Sequence, residues 1–476
     1  MSIDPATLRS PQAPTKTMTA HVFREYDIRG VADRDLTDDL ARRIGRGLAK
    51  LLTPAGSDGA PRIAVGRDCR LSSPRLFEAL TQGLVEGGAR VIDIGVGPTP
   101  KLYFSVYHLD TDGGVMITGS HNPAEDNGFK IMRGKASFFG DSIQELRRLV
   151  EAGPPTKSGG SLEKASVDDA YVARIGKDIE LPNKSIKYVV DAGNGSAGPL
   201  GVAAMRKLGL DPVTLFCEMD GRFPNHHPDP TVPKNLQALI DRVKAEKATV
   251  GIAWDGDGDR LGVVDATGEI IWGDRLLALF ARGILERTPG AAVIADVKCS
   301  QALFDDVNRH GGRGIMWKTG HSLIKTKMKE EHAAVAGEMS GHFFFADRFE
   351  GYDDAPYAAL RMLEILSKTG KTVGELLSDL PKAYFTPEIR FDCPDAIKAR
   401  VVDSVKKALQ ESGSGKLNEI DGVRVTYDDG AWGLVRASNT GPVIVLRFEA
   451  PSEERLSEVR SRVEGLVAAA KKALGG

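Results

Sequence analysis

Residues 249–260 hold the densest chemistry of the chain: an apolar run, Val250-Gly251-Ile252-Ala253-Trp254, ends in Asp255-Gly256-Asp257-Gly258-Asp259-Arg260. The alternating glycines let the backbone turn tightly enough for three carboxylates to converge, and an oxygen-only donor set suits a hard cation such as Mg2+ or Ca2+. Without a cation the three charges would repel. An EF-hand shares the D-x-D-x-D opening but needs Gly at its sixth position and Glu at its twelfth, which here are Arg260 and Ala266.

A haloacid-dehalogenase-type phosphatase would use Asp255 as its nucleophile, yet where it carries Thr or Val this chain has Asp259. A second segment, Met116-Ile117-Thr118-Gly119-Ser120-His121-Asn122-Pro123, also runs from an apolar strand into a short polar turn. Ser120 is its candidate nucleophile, although a hydroxyl needs a base or a pre-loaded phosphoryl group to react, and the same residues also make an ordinary turn or helix cap. A third, Gly337-Glu338-Met339-Ser340-Gly341-His342, sets carboxylate, hydroxyl and imidazole close enough to satisfy vicinal sugar hydroxyls. The fourth, Arg436-Ala437-Ser438-Asn439-Thr440-Gly441-Pro442, combines a guanidinium with hydroxyls, an amide and loosened backbone N–H groups, an anion cradle suited to phosphate. Gly193-Asn194-Gly195-Ser196-Ala197-Gly198 imitates a dinucleotide fingerprint, with Glu218 twenty residues on. It lies mid-chain rather than opening a binding domain and is taken as a structural turn.

The elements that position these segments follow from periodicity. Leu40, Ile44, Leu48 and Leu51 fall at helical spacing behind Thr37 and Asp38; residues 62–65 and 90–94 are short β-branched strands; and Ser73-Pro74 opens a helix carrying Leu76, Leu80 and Leu84. The same rhythm recurs at strand 186–191 with a helix to Leu208, and at strand 292–296 with a helix to Asn308. Alternating β and α predicts three doubly wound α/β units with mostly parallel sheets. From Pro381 the order changes to strand 384–391, helix 395–409, strands 422–427, 432–437 and 442–449 and a helix from Ser452, an α+β unit. The expected division is a flexible leader over 1–20 and units over 21–158, 159–267, 268–381 and 382–476, arranged around a central cleft.

The 476 residues are room for roughly three domains at about 150 residues each. Lys plus Arg at 63 against Asp plus Glu at 65 leaves a net charge of −2, which speaks against nucleic acid and anionic membranes as partners. No stretch reaches the length of a membrane span, residues 1–20 lack an apolar signal core, and the four cysteines are widely spaced with no C-x-x-C. A cytoplasmic protein, monomeric or dimeric, is expected.

The four motifs T-G-S-H-N-P, D-G-D-G-D-R, G-E-M-S-G-H and R-A-S-N-T-G-P, in this order and one to a unit, resemble those of the α-D-phosphohexomutase superfamily, over the chain from about His21 onward. Phe23-Arg24-Glu25-Tyr26-Asp27-Ile28-Arg29-Gly30, Asn127-Gly128-Phe129-Lys130 and Trp317-Lys318-Thr319-Gly320-His321 look like further family elements. The resemblance implies a mutase that interconverts hexose 1- and 6-phosphates of mannose and glucose, sustained by glucose 1,6-bisphosphate. It implies that Ser120 carries a phosphoryl group and, with Asp255, Asp257 and Asp259, holds Mg2+. It further gives Arg436, Ser438, Asn439 and Thr440 to the non-transferring phosphate and Glu338 and Ser340 to sugar hydroxyls. Tyr26, Arg29, Lys298, His321 and His342 line the cleft with Arg260, and Lys130 or His121 carries the proton. Met339 and the S-N-T loop point away from the phosphoglucosamine mutases, which stay as the alternative beside a metal-dependent sugar phosphatase and a non-catalytic sugar-phosphate-binding protein.

Overall fold

The computed structural model describes residues 20–56, 59–439 and 441–475. Residues 1–19 of the expected leader and the candidate Thr440 lie outside the described residues. Four sheets follow one another along the chain, and each is built as the patterning requires, from short β-branched strands whose faces are covered by amphipathic helices.

The first sheet runs Ile28–Val31, Asp126–Arg133, Gly113–Ile117, Arg62–Arg67, Arg90–Val96 and Ser161–Lys164 in spatial order. Its last four strands are parallel, and its first two join antiparallel at the edge. Helix Asp38–Leu51 starts where Thr37 accepts the Leu40 N–H at 3.2 Å, and its Leu40, Ile44 and Leu48 face the core. The strand Ser161–Lys164 belongs to this first sheet, beyond the Pro- and Gly-rich stretch expected to end the unit.

The second sheet orders Ile270–Ile271, Leu261–Asp265, Val250–Trp254, Tyr188–Asp191 and Val213–Leu215, and the third Arg313–Trp317, Ala292–Asp296, Val335–Gly337 and Phe343–Phe345. Both are parallel except at one edge, where Leu261–Asp265 and Ile270–Ile271 in the second and Phe343–Phe345 in the third join antiparallel. The turn at residues 265–268 lies inside the second sheet, because Ile270 and Ile271 fold back onto Val264 and Val263. The fourth sheet is antiparallel throughout, with helices Asp395–Ser412 and Glu453–Ala473 packed on it. The strand expected over 384–391 is two strands, Tyr384–Phe385 and Ile389–Asp392, because Pro387 between them offers no N–H to the ladder.

One apolar core spans the first three units, joining Ile92 and Met116 to Val190 and Trp254 and on to Leu276 and Phe343, beside a separate core inside the first unit around Ile44, Leu80 and Phe129. The fourth unit has its own core, centred on Val401, Val435, Leu446 and Val463, and meets the third through a small cluster of Val297, Trp432 and Leu434. Among the described residues no helix is long and apolar enough to cross a membrane. Ser120, Asp255, Lys298 and Glu338 all follow the carboxyl ends of parallel central strands, where open α/β sheets bind their ligands.

Candidate functional site

Ser120 is buried and adopts φ 51°, a left-handed conformation that costs a β-carbon-bearing residue energy unless its surroundings impose it. They do. The Thr118 hydroxyl accepts the Ser120 N–H at 2.8 Å, and the guanidinium of Arg70 donates to the carbonyls of Ser120 and Asn122 at 2.7 Å, of Asp126 at 2.9 Å and of Pro123. The seryl hydroxyl so placed donates to Oδ2 of Asp255 at 3.1 Å, across the seam between first and second units, and lies 3.1 Å from Nδ1 of His121. Burial, with Arg260 and Arg29 nearby, keeps the pKa of His121 well below the usual histidine range.

Asp255, Asp257 and Asp259 are fully buried and can offer one oxygen each within 4.8 Å of one another. Asp255 Oδ1 accepts the N–H groups of Asp259 and Arg260 at 3.0 and 3.1 Å. Oδ1 of Asp257 has no hydrogen-bond partner, an unusual state for a buried carboxylate oxygen and the state expected of a metal ligand. The donor set therefore fits a hard divalent cation. Lys130 supplies counter-charge from the first unit: its Nζ donates to Asp257 Oδ2 at 2.7 Å and also to Asp259. Burial opposes the ammonium, but Asp257 and Asp259 outweigh it and raise the Lys130 pKa. Asp255, lacking such a partner, is pushed well up by burial and by its two neighbours. Thr99 completes the nest with a 2.6 Å bond to Asp257 Oδ2; a lone threonine before a proline carried no sequence signal.

On the third unit, Oε1 of Glu338 accepts the Gly320 N–H at 2.6 Å and Oε2 lies 2.8 Å from His342 Nδ1. His342 Nε2 is 3.2 Å from Asp259, so the imidazole bridges two carboxylates. Burial works against its charge, yet Asp259 and Glu338 raise it to about 9, while His342 and Lys298 hold Glu338 down at about 2. Asp259, His342 and Asp353 also cluster, but an imidazolium already occupies that position. Ser340 Oγ is 3.2 Å from His342 Nδ1, and Arg260 Nε 3.4 Å from its Nε2. The rings of His321 and His342 stack at 5.7 Å, with Tyr26 edge-on to His321. Arg29 donates to Asp27 at 2.7 Å and to Asn122 at 3.1 Å, which points it at the Ser120 loop.

The fourth unit brings Arg436, buried, its Nε on Asp421 Oδ2 at 2.9 Å. The same oxygen accepts the Thr319 N–H at 3.0 Å, so Asp421 ties the anion cradle to the third unit. Ser438 accepts the Gly441 N–H on its hydroxyl, and Asn439 donates to the Tyr26 hydroxyl. Lys298 points inward between Glu388 Oε2 at 3.2 Å and Asp296 Oδ2 at 3.6 Å. The described candidates thus line one cleft, in two groups: Ser120, His121, Lys130, Arg29 and the aspartates on one wall, and Lys298, Arg436, Ser438 and Asn439 on the other, with Tyr26, Glu338, Ser340, His321 and His342 between. Asp421, Glu388, Asp296 and Arg70 were not found from sequence, since each is an isolated charge whose partner is remote in the chain. The G-x-G-x-x-G turn is filled by protein: Ser196 N–H donates to the Gly256 carbonyl at 2.9 Å, leaving no open place for a pyrophosphate.

Comparison with known proteins gives one answer along the chain. The family described as phosphoglucomutase/phosphomannomutase matches with its alpha/beta/alpha domain I over residues 20–155, domain II over 169–268, domain III over 272–384 and C-terminal domain over 388–466. A phosphomannomutase/phosphoglucomutase of Pseudomonas putida is 48% identical over 439 residues, covering 92% of this chain and 94% of that protein. A phosphoglucomutase of Neisseria gonorrhoeae is 44% identical over 454 residues, covering 95% and 97%. The crystal structure of a phosphoglucomutase/phosphomannomutase family protein from Burkholderia thailandensis superimposes with TM-score 0.87 at 45% identity, covering 95% of this chain and 98% of that one.

Proposed function

The chain belongs to the phosphoglucomutase/phosphomannomutase family, and on that premise we propose that it interconverts the 1- and 6-phosphates of glucose and mannose through a phosphoserine at position 120 and a bound hexose 1,6-bisphosphate. The observation that carries the reading is the 3.1 Å contact between the Ser120 hydroxyl and Asp255, which sets a nucleophile of the first unit on the carboxylate nest of the second.

Asp255, Asp257 and Asp259, with an oxygen of phosphoserine 120, would hold Mg2+. Bound there, the ion would neutralise charge on the phosphoryl group in transfer. In the first half-reaction the free hydroxyl of the hexose monophosphate attacks phosphoserine phosphorus. A bond forms to the sugar oxygen, the bond to Ser120 Oγ breaks, and the sugar hydroxyl proton passes by way of a base to Ser120 Oγ, which leaves as the neutral hydroxyl. Lys130 and His121 both stand at this wall. His121 Nδ1 stands 3.1 Å from Ser120 Oγ and the Lys130 ammonium reaches Asp257 and Asp259, so either can carry the proton. The imidazole of His121 can take the Ser120 proton in the second half-reaction, when Oγ attacks the other phosphate, and the proton is returned to the sugar oxygen that leaves. Between the halves the bisphosphate turns over in the cleft, and Arg436, Ser438, Asn439 and Thr440 hold whichever phosphate is not reacting. Glu338 and Ser340 grip the 3- and 4-hydroxyls. Glucose and mannose differ at C2, so both are accepted. Glucose 1,6-bisphosphate acts as activator by restoring phosphoserine when the intermediate escapes.

Intact-mass measurement beside a coupled mutase assay tests this. The unsubstituted enzyme is expected to carry one phosphoryl increment that Ser120→Ala lacks, with activity down at least about 10³-fold. Full activity in Ser120→Ala, or steady release of inorganic phosphate in place of isomerisation, would sink it.

A further inference from the structure

Arg424 and Arg447 take no part in this chemistry, yet they are only 1% and 2% exposed. Both belong to strands of the fourth unit, Val423–Thr426 and Val443–Ala450, and both reach into the third. Nη1 of Arg424 donates to the carbonyls of Val297 and Cys299 at 2.8 and 2.7 Å, and Nη1 of Arg447 donates to the carbonyl of Lys298 between them. Three successive carbonyls of one loop are thus held by two guanidinium groups from another domain. The next residue extends the grip: Ser300 Oγ donates to Glu449 Oε1 at 2.7 Å, and Trp432 Nε1 donates to the same oxygen at 3.2 Å. The Arg424 guanidinium lies 3.8 Å from the Trp432 ring centroid, and the Val297 side chain packs on Trp432 from the other domain.

This is a costly way to join two domains. Nε and Nη2 of Arg424 have no hydrogen-bond partner, Nε of Arg447 has none, and burial pulls Arg424 down to about 10. An apolar pair of similar volume would hold the seam at lower cost. What the arginines supply is geometry. A planar fork on consecutive carbonyls fixes the backbone of the loop, and that backbone aims Lys298 into the cleft.

We propose that Arg424 and Arg447 are positioning residues that lock the Lys298 loop to the fourth unit, so that the Lys298 ammonium and the Arg436 phosphate cradle grip the substrate as one body. The first three units share a core and the fourth does not, so this seam is where relative motion is cheapest. With the loop captured, movement of the fourth unit carries Lys298 with it. The role in binding rests on the hexose-phosphate reading of the cleft; the capture of the loop does not.

A double-variant cycle with amide exchange tests the proposal. In Arg424→Met, exchange at the amides of residues 297–300 is expected to rise, and kcat/KM for glucose 1-phosphate to fall about tenfold to a hundredfold, mostly through KM. Combined with Lys298→Ala, Arg424→Met should add little beyond Lys298→Ala alone, since both remove the same contact. Arg424→Lys, which keeps the charge but not the fork, should move in the same direction; it and Arg447→Met carry the cycle if Arg424→Met does not fold. Unchanged exchange at 297–300, losses that multiply in the double variant, or a harmless Lys298→Ala would overturn the proposal. An unsubstituted chain without mutase turnover would instead count against the functional reading, and exchange would still report on the seam.

Discussion

Asn439 donates its side-chain amide to the hydroxyl of Tyr26, a contact between residues 413 positions apart that brings the two ends of the fold together over the cleft. Tyr26 in turn donates its hydroxyl hydrogen bond to the Thr319 carbonyl at 2.8 Å, so one phenol joins the first, third and fourth units. Tyr26→Phe keeps the ring against His321 and removes both bonds. At about 1 kcal/mol net each, about 2 kcal/mol together, KM for glucose 1-phosphate should rise roughly thirtyfold while the phosphoserine mass is unchanged. An unaltered KM would show that the bridge does not contribute to closure.

Gly256 is a sharper probe of the seam at the nucleophile. A β-carbon there would stand 2.4 Å from the Ser120 carbonyl oxygen, a backbone atom that cannot swing aside. Gly256→Ala should push the Ser120 loop away from Asp255 and lower kcat by about 10²-fold, the scale expected of an ångström of misplacement. Circular dichroism should stay native. Gly465→Ala, in helix Glu453–Ala473 where a β-carbon meets nothing within 4 Å, is the control and should keep a far larger share of activity.

The carboxylate nest predicts how the protein responds to metal. Chelation should abolish turnover, and Mg2+ should restore it. Because Lys130 already neutralises Asp257 and Asp259, Lys130→Met should lower the Tm of the metal-free protein. It should also enlarge the rise in Tm on adding Mg2+, which at a hundredfold excess over Kd is worth about 2.7 kcal/mol. Equal shifts in the two proteins would argue that Lys130 and the ion do not share a site.

Asp354 gives a pH signature in stability. It caps helix Ala355–Thr369 by accepting the Tyr357 N–H at 2.8 Å, and burial lifts its pKa to about 7. The folded state therefore holds a proton that the unfolded chain releases near pH 4. Its contribution is most favourable below that pH and is lost as pH rises to about 7. Asp354→Asn keeps an acceptor for the cap without the charge, so it should raise Tm more at pH 8 than at pH 5. A gain independent of pH would mean that Asp354 does not titrate in this window.

What the sequence could disclose divides along physical lines. Ser120 and the three aspartates were legible because each motif is local: the residues that act together are neighbours in the chain, on turns whose glycines announce their shape. The α/β succession was legible for the same reason, since periodicity is local. Arg70, Asp421, Arg424 and Arg447 were not. Each is a lone charge, and its meaning lies in carbonyls or amides some 50 to 150 residues away. The ends of the sheets were hidden likewise. A Gly- and Pro-rich stretch marks a turn, but it does not say that Ser161–Lys164 will pair backward with Arg90–Asp93.

The two walls of the cleft are also made at different times. About 180 residues separate Asp259 from Asn439, so at roughly 5–20 residues per second a ribosome finishes the nucleophile and its carboxylates on the order of ten to forty seconds before the opposing phosphate cradle. For that interval the nascent chain carries the first half of the proposed site without the residues that would hold a substrate's second phosphate.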